Sequence, residues 1–357
     1  MMKIAVTADI HLKADGKYPE RFNALKNILE QLLKDGIENL IIAGDLFDIE
    51  SQNYAVFDDL CRNKKYSHIK FYIIGGNHDL TINSKYFTAK NIKIFNEPTL
   101  MNFDGCAFSF FFIPYLLGKP MGEIIAKYRQ ALPESWVLIG HGDYLSGIKD
   151  IKDRNTYEAG IYMPIARTDI EFYNPSRVIL GHIHKSLQLG KVFYPGSPCS
   201  MDINETGRRN FLILDLNDLA ITSKTVDTDY IFFNETFVAL PAPNEFDYAK
   251  DKLTDIIKSW NLNKDEIPKA RIRLKAKGYT SDKKKLEKVI IETLSGFSFY
   301  NNEEPDLSEV CLFNDPERIN IVERVKKKID FLEESAGYTQ IKKELILEQA
   351  LNLILQD

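Results

Sequence analysis

The sequence predicts an α/β fold, a two-sheet sandwich flanked by helices, followed by a smaller α+β capping unit and C-terminal helices. Three observations lead there. Up to about residue 115, short runs rich in Ile, Val and Leu alternate with segments whose apolar residues fall at helical spacing. From there to residue 240, short apolar runs follow one another with few helical signals. Beyond residue 244 helix and strand alternate again on a smaller scale. At 357 residues the chain has room for about two domains.

Taken in order, Lys3–Ala8, Asn39–Ala43 and Lys70–Ile74 read as strands, each short and bounded by Gly or Asp. Pro19–Lys34 and Tyr54–Lys65 read as the helices between them, with Phe22, Leu25, Ile28, Leu29 and Leu32 on one face of the first. That alternation implies a mainly parallel sheet covered by helices. Trp136–Ile139 and Arg177–Leu180 are further buried strands. Leu187–Leu189, Val192–Tyr194, Phe211–Leu216, Ile221–Val226 and Ile231–Leu240 read as antiparallel strands closing a second sheet, so the first domain covers 1–240.

Leu240-Pro-Ala-Pro-Asn244 is the expected linker, because two prolines within three residues interrupt both helix and sheet. In the cap, 244–315, Phe246–Trp260 and Lys283–Leu294 read as helices, Lys269–Lys277 as a strand and Glu303–Glu317 as an acidic loop. Two helices, about Pro316–Glu333 and Thr339–Leu355, make up 316–357.

Composition narrows the functional classes. With 44% hydrophobic and 27% charged residues the chain is an ordinary globular protein, and a net charge of −5 excludes a basic tail as its whole basis for binding nucleic acid. The longest apolar run, Cys106–Leu117, is interrupted by Ser109 and Pro114 and is too short to cross a bilayer. The N-terminus lacks a secretory signal. Cys61, Cys106, Cys199 and Cys311 include no Cys-x-x-Cys pair and read as free thiols. The expectation is a cytoplasmic protein with no membrane partner.

Five of the six histidines follow predicted strands directly, within Gly, Asp or Asn clusters: Asp9-Ile-His11, Gly76-Asn77-His78-Asp79, Gly140-His141-Gly142 and Gly181-His182-Ile-His184. A fifth cluster, Gly44-Asp45-Leu-Phe-Asp48, supplies carboxylates, and only His68 lies outside such a setting. A single histidine at a strand end is usually a satisfied or exposed residue; five in ordered spacing are not explained that way. Ligands of open α/β sheets bind beyond the carboxyl ends of strands, where each cluster sits. Mixed imidazole and carboxylate donors suit manganese, iron or zinc. There are too many for one catalytic ion, and they fit two ions about 3.5–4 Å apart. Two divalent cations against two carboxylates leave a pocket that favours phosphate.

In this order the five clusters resemble the signature of the calcineurin-like metallophosphoesterases, over about residues 1–240. Three details resemble the SbcD-type nucleases of DNA double-strand-break repair: Gly181-His-Ile-His-Lys185 followed by Tyr194-Pro-Gly-Ser-Pro198, Gly44-Asp-Leu-Phe-Asp48, and Glu205 followed by Gly207-Arg-Arg-Asn-Phe211. The resemblance implies the metallophosphoesterase sandwich and two divalent ions, manganese favoured. It places Asp9, His11 and His184 on the first ion, Asp45 as the bridge, and Asn77, His141 and His182 on the second. His78 becomes the group facing the leaving oxygen, with Asp79 orienting its imidazole. Asp48 is either a catalytic residue or a loop carboxylate. The resemblance also implies exonuclease and endonuclease activity on DNA, a homodimer, and an SbcC-like coiled-coil ATPase gripped by the C-terminal helices.

Substrate choice rests on the remainder of the chain. In Lys269–Lys277 the cations Lys269, Arg271, Arg273, Lys275 and Lys277 fall on one strand face and Ala270, Ile272, Leu274 and Ala276 on the other. Nine basic and two acidic residues over 269–288 give a local balance of +7. We favour DNA contact there and at Arg208 and Arg209; the plain alternative is a solvated face that discourages edge pairing. On the last two helices, Ile319, Val322, Val325, Ile329 and Leu332 form a stripe. Ile341, Leu345, Ile346, Leu347, Ala350, Leu351, Leu353, Ile354 and Leu355 cover more than one face. No Gly-x-x-x-x-Gly-Lys-Ser/Thr loop is present, so ATP dependence would come from a partner. The competing functions are a nucleotide or small-molecule phosphodiesterase or phosphatase, and a non-catalytic scaffold.

Overall fold

Ile, Val and Leu at strand spacing carry out the predicted alternation: Lys3–Thr7 (β1), Pro19–Asp35 (α1), Asn39–Ala43 (β2), Ala55–Arg62 (α2) and Lys70–Ile74 (β3). The computed structural model describes residues 3–13, 16–48, 54–145, 160–241, 244–313, 315–332 and 340–355. These fall into two units, Met1–Met201 with Arg208–Asp229, and Asp202–Gly207 with Tyr230–Asp357.

The first unit continues with Ile92–Phe95 (β4), Thr99–Asn102 (β5), Ser109–Phe112 (β6), Met121–Tyr128 (α3), Trp136–His141 (β7), Arg167–Tyr173 (α4) and Arg177–Gly181 (β8). Leu187–Leu189 (β9), Val192–Tyr194 (β10), Asn210–Asp215 (β11) and Ile221–Thr225 (β12) complete it. One six-stranded sheet runs β12-β11-β1-β2-β3-β4 and the other β5-β6-β7-β8-β10-β9. The late strands are therefore shared out differently from expectation. The antiparallel pair β11 and β12 extends the first sheet beside β1, and only β9 and β10 join the second.

Side-chain alternation gives each sheet two apolar faces. Ile4, Val6, Ile41 and Ile74 of the first sheet meet Phe110, Phe112, Val137 and Ile139 of the second, with the Phe95 and Phe112 rings stacked at 4.2 Å. Ala5, Leu40, Ile42, Phe71 and Ile73 point the other way, under Leu25, Leu29 and Leu32 of α1 and Phe57 of α2. Leu138, Val178 and Leu180 pack against Ile124 and Ile125 of α3 and Ile170 of α4. Truncating a phenylalanine in such layers to alanine costs about 3–5 kcal/mol, so these strands hold their ends firmly.

In the second unit, Ile231–Ala239 (β13) pairs in parallel with Ala270–Thr280 (β14), from Ile231 opposite Ala270 to Ala239 opposite Gly278. This corrects the expected boundary at 240. The strand closes no sheet of the first unit. Its Phe233, Phe237 and Ala239 share a core with Ile272, Leu274 and Ala276, under Leu253 of Glu245–Ser259 (α5) and Leu286 and Ile290 of Lys283–Thr293 (α6). Of the expected linker, Ala242 and Pro243 lie outside the described residues.

The expected acidic loop contains a strand, Asp306–Leu312 (β16), which pairs with β14 on the side away from β13, as does Ser298–Phe299 (β15). Pro316–Asp330 (α7) and Gln340–Leu355 (α8) close the chain, with Val322, Ile329, Leu347 and Leu351 packed on Val238 and Leu240. Glu333 and Thr339 of the expected helices lie outside the described residues, and so do the side chains of Ile341 and Leu355. Phe331, Leu345 and Leu353 remain exposed. All four cysteines are free thiols, and no helix among the described residues is long and apolar enough to cross a membrane.

Candidate metal centre

The parallel strands β1, β2 and β3 of one sheet and β7 and β8 of the other end at the same place. Asp9 and His11 follow β1; Asp45 and Asp48 follow β2; Asn77, His78 and Asp79 follow β3; His141 ends β7; His182 and His184 follow β8. Asp9 (φ 53°), His11 (50°), Asp45 (51°) and His182 (95°) all adopt positive φ, a region that costs a non-glycine residue on the order of 1–3 kcal/mol. The fold holds them there through its own backbone. Asp9 N donates to Gly44 O (3.1 Å), His11 N to Asp45 O (2.9 Å), and His182 N to Asp9 Oδ1 (2.9 Å).

The space between these turns is filled closely. A Cβ on Gly76 would lie 2.1 Å from Asp45 Oδ1, and one on Gly44 2.1 Å from His141 Nδ1. Overpacking of this kind costs about 1–3 kcal/mol, and here the displaced groups are candidate ligands. We expect Gly76→Ala to lower the thermal midpoint modestly while weakening manganese binding at least tenfold, checked by calorimetric titration.

Donor atoms converge in overlapping sets. Asp9, His11 and His184 form one, Asp9, Asp45 and His141 another, and His11, Asp45 and His78 a third, each with its ligand atoms within 4.8 Å of one another. His11 Nε2 lies 3.2 Å from His184 Nε2 and 3.6 Å from Asp45 Oδ2. His141 Nε2 lies 3.4 Å from Asp45 Oδ2 and 2.8 Å from Asn77 Oδ1. The His182 ring sits 5.6 Å from that of His141, against Tyr162 at 4.7 Å. Asp9 and Asp45 are buried, and among the described residues no Lys or Arg pairs with either. Two buried carboxylates facing imidazole nitrogens fit divalent cations, which would supply the missing charge.

Protonation states agree with that use. Burial drives the His11 imidazole down to about 3, against the pull of Asp45, so it is neutral and ready to ligate. Burial pushes Asp9 up to about 6, opposed by His141 and His184. Burial also penalises an ionised Asp45, but His141, His11 and His78 outweigh it and hold the carboxyl below the usual range. For His141 burial disfavours the charged ring, yet Asp45 and Asp9 raise it to about 9. Its Nδ1 donates to Ala43 O at 2.9 Å, which leaves Nε2 as the ligand atom and the proton there as the one a metal must displace. Manganese loading at pH 7 should therefore release about one proton per chain from His141, and affinity should rise with pH until about 9. Calorimetry in buffers of different ionisation enthalpy measures this.

The structure reassigns several predicted residues. Asp79 does not orient His78: its carboxylate accepts from Gly76 N (2.7 Å) and Phe47 N (3.2 Å), tying the β2 and β3 loops together. Burial and the neighbouring Asp45 push Asp79 up to about 7. The carboxylate beside His78 Nδ1 is Asp48 Oδ1, at 3.4 Å. Asp48 Oδ2 in turn meets Lys13 Nζ and Arg21 Nη1, both at 3.3 Å. Burial opposes its charge, but His78, His11 and Lys13 hold Asp48 well below the carboxylate range.

Arg209 is no surface cation. It is buried and donates from Nε to Ser197 O (2.9 Å) and from Nη2 to His184 O, fixing the loop that carries His184. Arg208 is exposed. Arg21 of α1, which the sequence does not single out, is buried and also donates to His11 O at 2.7 Å.

The basic face of β14 is largely neutralised within its own unit, and the strand is not an edge. Arg273 makes a bidentate pair with Glu303 (2.8 and 2.7 Å), Lys275 pairs with Glu309, and Lys277 with Glu309 (3.5 Å) and Glu348 (3.6 Å). Arg271 donates to Pro268 O at 2.8 Å and stacks over Tyr230, and Lys269 lies in the turn before β14. The local +7 is therefore not the charge that solvent meets.

A sandwich whose strand ends gather buried imidazoles and carboxylates defines a metal-dependent phosphoesterase. The calcineurin-like phosphoesterase family model matches residues 2–186, just over half of the sequence, and the chain belongs to that family. It is 26% identical over 268 residues to exonuclease subunit 1 of Enterobacteria phage T4, covering 69% of this chain and 73% of that protein. Among solved structures, it is similar to an archaeal phosphodiesterase (13% identity, 63% of this chain and 100% of that one, TM-score 0.35). It is also similar to GAP50, the anchor in the inner membrane complex of Plasmodium (17% identity, 63% and 84%, TM-score 0.41).

Proposed function

We propose that the protein is a two-metal, manganese-dependent DNA nuclease of the SbcD type, cutting phosphodiester bonds at DNA ends and in single strands during repair or recombination. The observation that carries this reading is the convergence of Asp9, His11, Asp45, His141 and His184 from four strand ends in two sheets, in overlapping sets of three whose ligand atoms lie within 4.8 Å of one another. The similarity to a phage exonuclease subunit supports DNA as the substrate.

In this reading Asp9, His11 and His184 would hold one ion and Asn77, His141 and His182 the other, with Asp45 available as a donor to both. The ions would supply Lewis-acid stabilisation of the phosphoryl oxygens and a nucleophile at neutral pH. Asp48 Oδ1, 3.4 Å from Nδ1, would orient the imidazole of His78 by charge and leave Nε2 to face the leaving oxygen. In the second unit, DNA contact is proposed at Lys269 and Arg271, with Arg208 of the first; Glu303, Glu309 and Glu348 engage Arg273, Lys275 and Lys277 of β14. The exposed Leu345 and Leu353 of α8 are the surface offered to an SbcC-like coiled-coil ATPase, and the active form is a homodimer, an expectation drawn from the family resemblance.

The test compares cleavage of linear duplex DNA and of bis-p-nitrophenyl phosphate by the full chain with manganese. Salt-sensitive DNA cleavage alongside ester hydrolysis is expected. Ester or nucleotide hydrolysis without DNA cleavage at any salt concentration would identify a small-molecule phosphodiesterase, and neither activity would leave a scaffold.

A further inference from the structure

From residue 60 to 96 the chain carries seven Lys and Arg against one carboxylate, Asp79, which is buried at the metal centre. Five basic side chains of this stretch, Arg62, His68, Lys70, Lys90 and Lys93, line a groove of about 900 Å³ in the first unit, and no carboxylate lines it. Arg62 is partly neutralised by Asp58 (3.2 Å) and Asp59, whereas among the described residues Lys70 and Lys90 have no ion-pair partner. This is the reverse of β14, where carboxylates from β16 and α8 cover the cations. In an acidic protein, Lys70, Lys90 and Lys93 gathered in a concave place with no ion-pair partner among the described residues make a local anion-attracting field.

The groove lies away from the chemistry. Lys70 opens β3 and Lys90 precedes β4, while the metal donors follow the far ends of the strands. From Lys70 to Asn77 the extended chain spans on the order of 20 Å. The groove takes in Lys70 and Tyr72 of β3 as well as the residues leading into β4, so it runs across two neighbouring strands rather than along the free edge of β4. An occupant is thus held by side-chain charge and not by adding a strand to the sheet, which favours a phosphate backbone over an extended acidic peptide.

We propose that this groove is a second nucleic-acid site, holding the phosphate backbone of a single strand at a distance from the metal centre. The proposal rests on the DNA reading above, and its test is kept separate from cleavage. Binding of a fluorescein-labelled oligothymidylate of about 20 nucleotides to the full chain is followed by anisotropy in EDTA, at a series of salt concentrations. Lys70→Gln/Lys90→Gln should weaken binding about tenfold near 50 mM salt and flatten the slope of log K against log salt by about 1.4, while Lys70→Arg/Lys90→Arg restores both.

Hydrolysis of bis-p-nitrophenyl phosphate with manganese should be equal in all three proteins, which shows that the fold and metal centre are intact. Unchanged affinity and slope in the glutamine pair would overturn the proposal. So would displacement of the oligonucleotide by polyglutamate at equal charge, which would mark an acidic-peptide site. DNA cleavage by wild type without oligonucleotide binding in EDTA would refute the groove alone, and binding without cleavage would refute the nuclease reading alone.

Discussion

Asp45→Asn should abolish hydrolysis of both DNA and bis-p-nitrophenyl phosphate, by about 10³-fold or more, without unfolding the protein. Asp45 is buried, ionised, and placed between donors of both candidate ions: Oδ1 accepts from His78 N at 2.9 Å, and Oδ2 faces His11 Nε2 at 3.6 Å and His141 Nε2 at 3.4 Å. Asparagine keeps the shape but removes the charge and turns an N–H₂ toward the imidazoles or the His78 amide. Because His141, His11 and His78 hold the buried carboxylate in its charged form, losing that charge should lower the melting midpoint of the metal-free variant while leaving a cooperative transition. The two proteins should separate further on adding manganese. At about 100 times its dissociation constant the metal stabilises the wild type by about 2.7 kcal/mol, a rise of about 5 °C or more, and leaves the variant unmoved. Differential scanning calorimetry with and without the ion distinguishes loss of metal from loss of fold.

His78→Ala should reduce turnover by about 10²–10⁴-fold while manganese content is unchanged, the range for removing a general acid. Its Nδ1 is 3.4 Å from Asp48 Oδ1, and Asp48 is itself fixed by Lys13 and Arg21. Asp48→Asn should cost about 10–100-fold, as expected for a group that orients another. Because Asp48 acts through His78, the double variant should be about as slow as His78→Ala alone, a non-additivity that steady-state kinetics with bis-p-nitrophenyl phosphate can read. Loss of manganese in His78→Ala would instead make His78 a ligand, which its place beside His11 and Asp45 allows geometrically.

The sequence exposed the five clusters because each candidate ligand closely follows an apolar strand, and all but Asp9 and His11 sit within a few residues of a glycine there. Asn39–Ala43 and Lys70–Ile74 occur at the expected residues. The partnership of Asp48 with His78 was not legible. Asp79 is the covalent neighbour, and only the parallel register that sets Ala43 opposite Ile74 brings residues 48 and 78 together. Arg208 and Arg209 looked alike as a basic pair, but they lead into β11, where successive side chains face opposite ways, and one is exposed while the other is buried.

Alternation also identified β13 as a strand without telling which sheet it joins. Its partner is β14, reached through α5, so β13 and α5, on either side of the expected linker, belong to one unit. The cations of β14 were visible; their counter-charges were not. In β16, Asp-Leu-Ser-Glu-Val-Cys-Leu turns only Leu307 and Val310 inward, and the segment reads as an acidic loop until it is paired. Four-residue strands such as β4, with Lys93 at its centre, give too little periodicity to stand out.

A binuclear centre at the converging strand ends should hold about two manganese ions per wild-type chain and fewer in Asp45→Asn, as measured by metal content of the 357-residue chain after equilibrium dialysis. A wild-type chain that retains one ion or none at saturating manganese contradicts it.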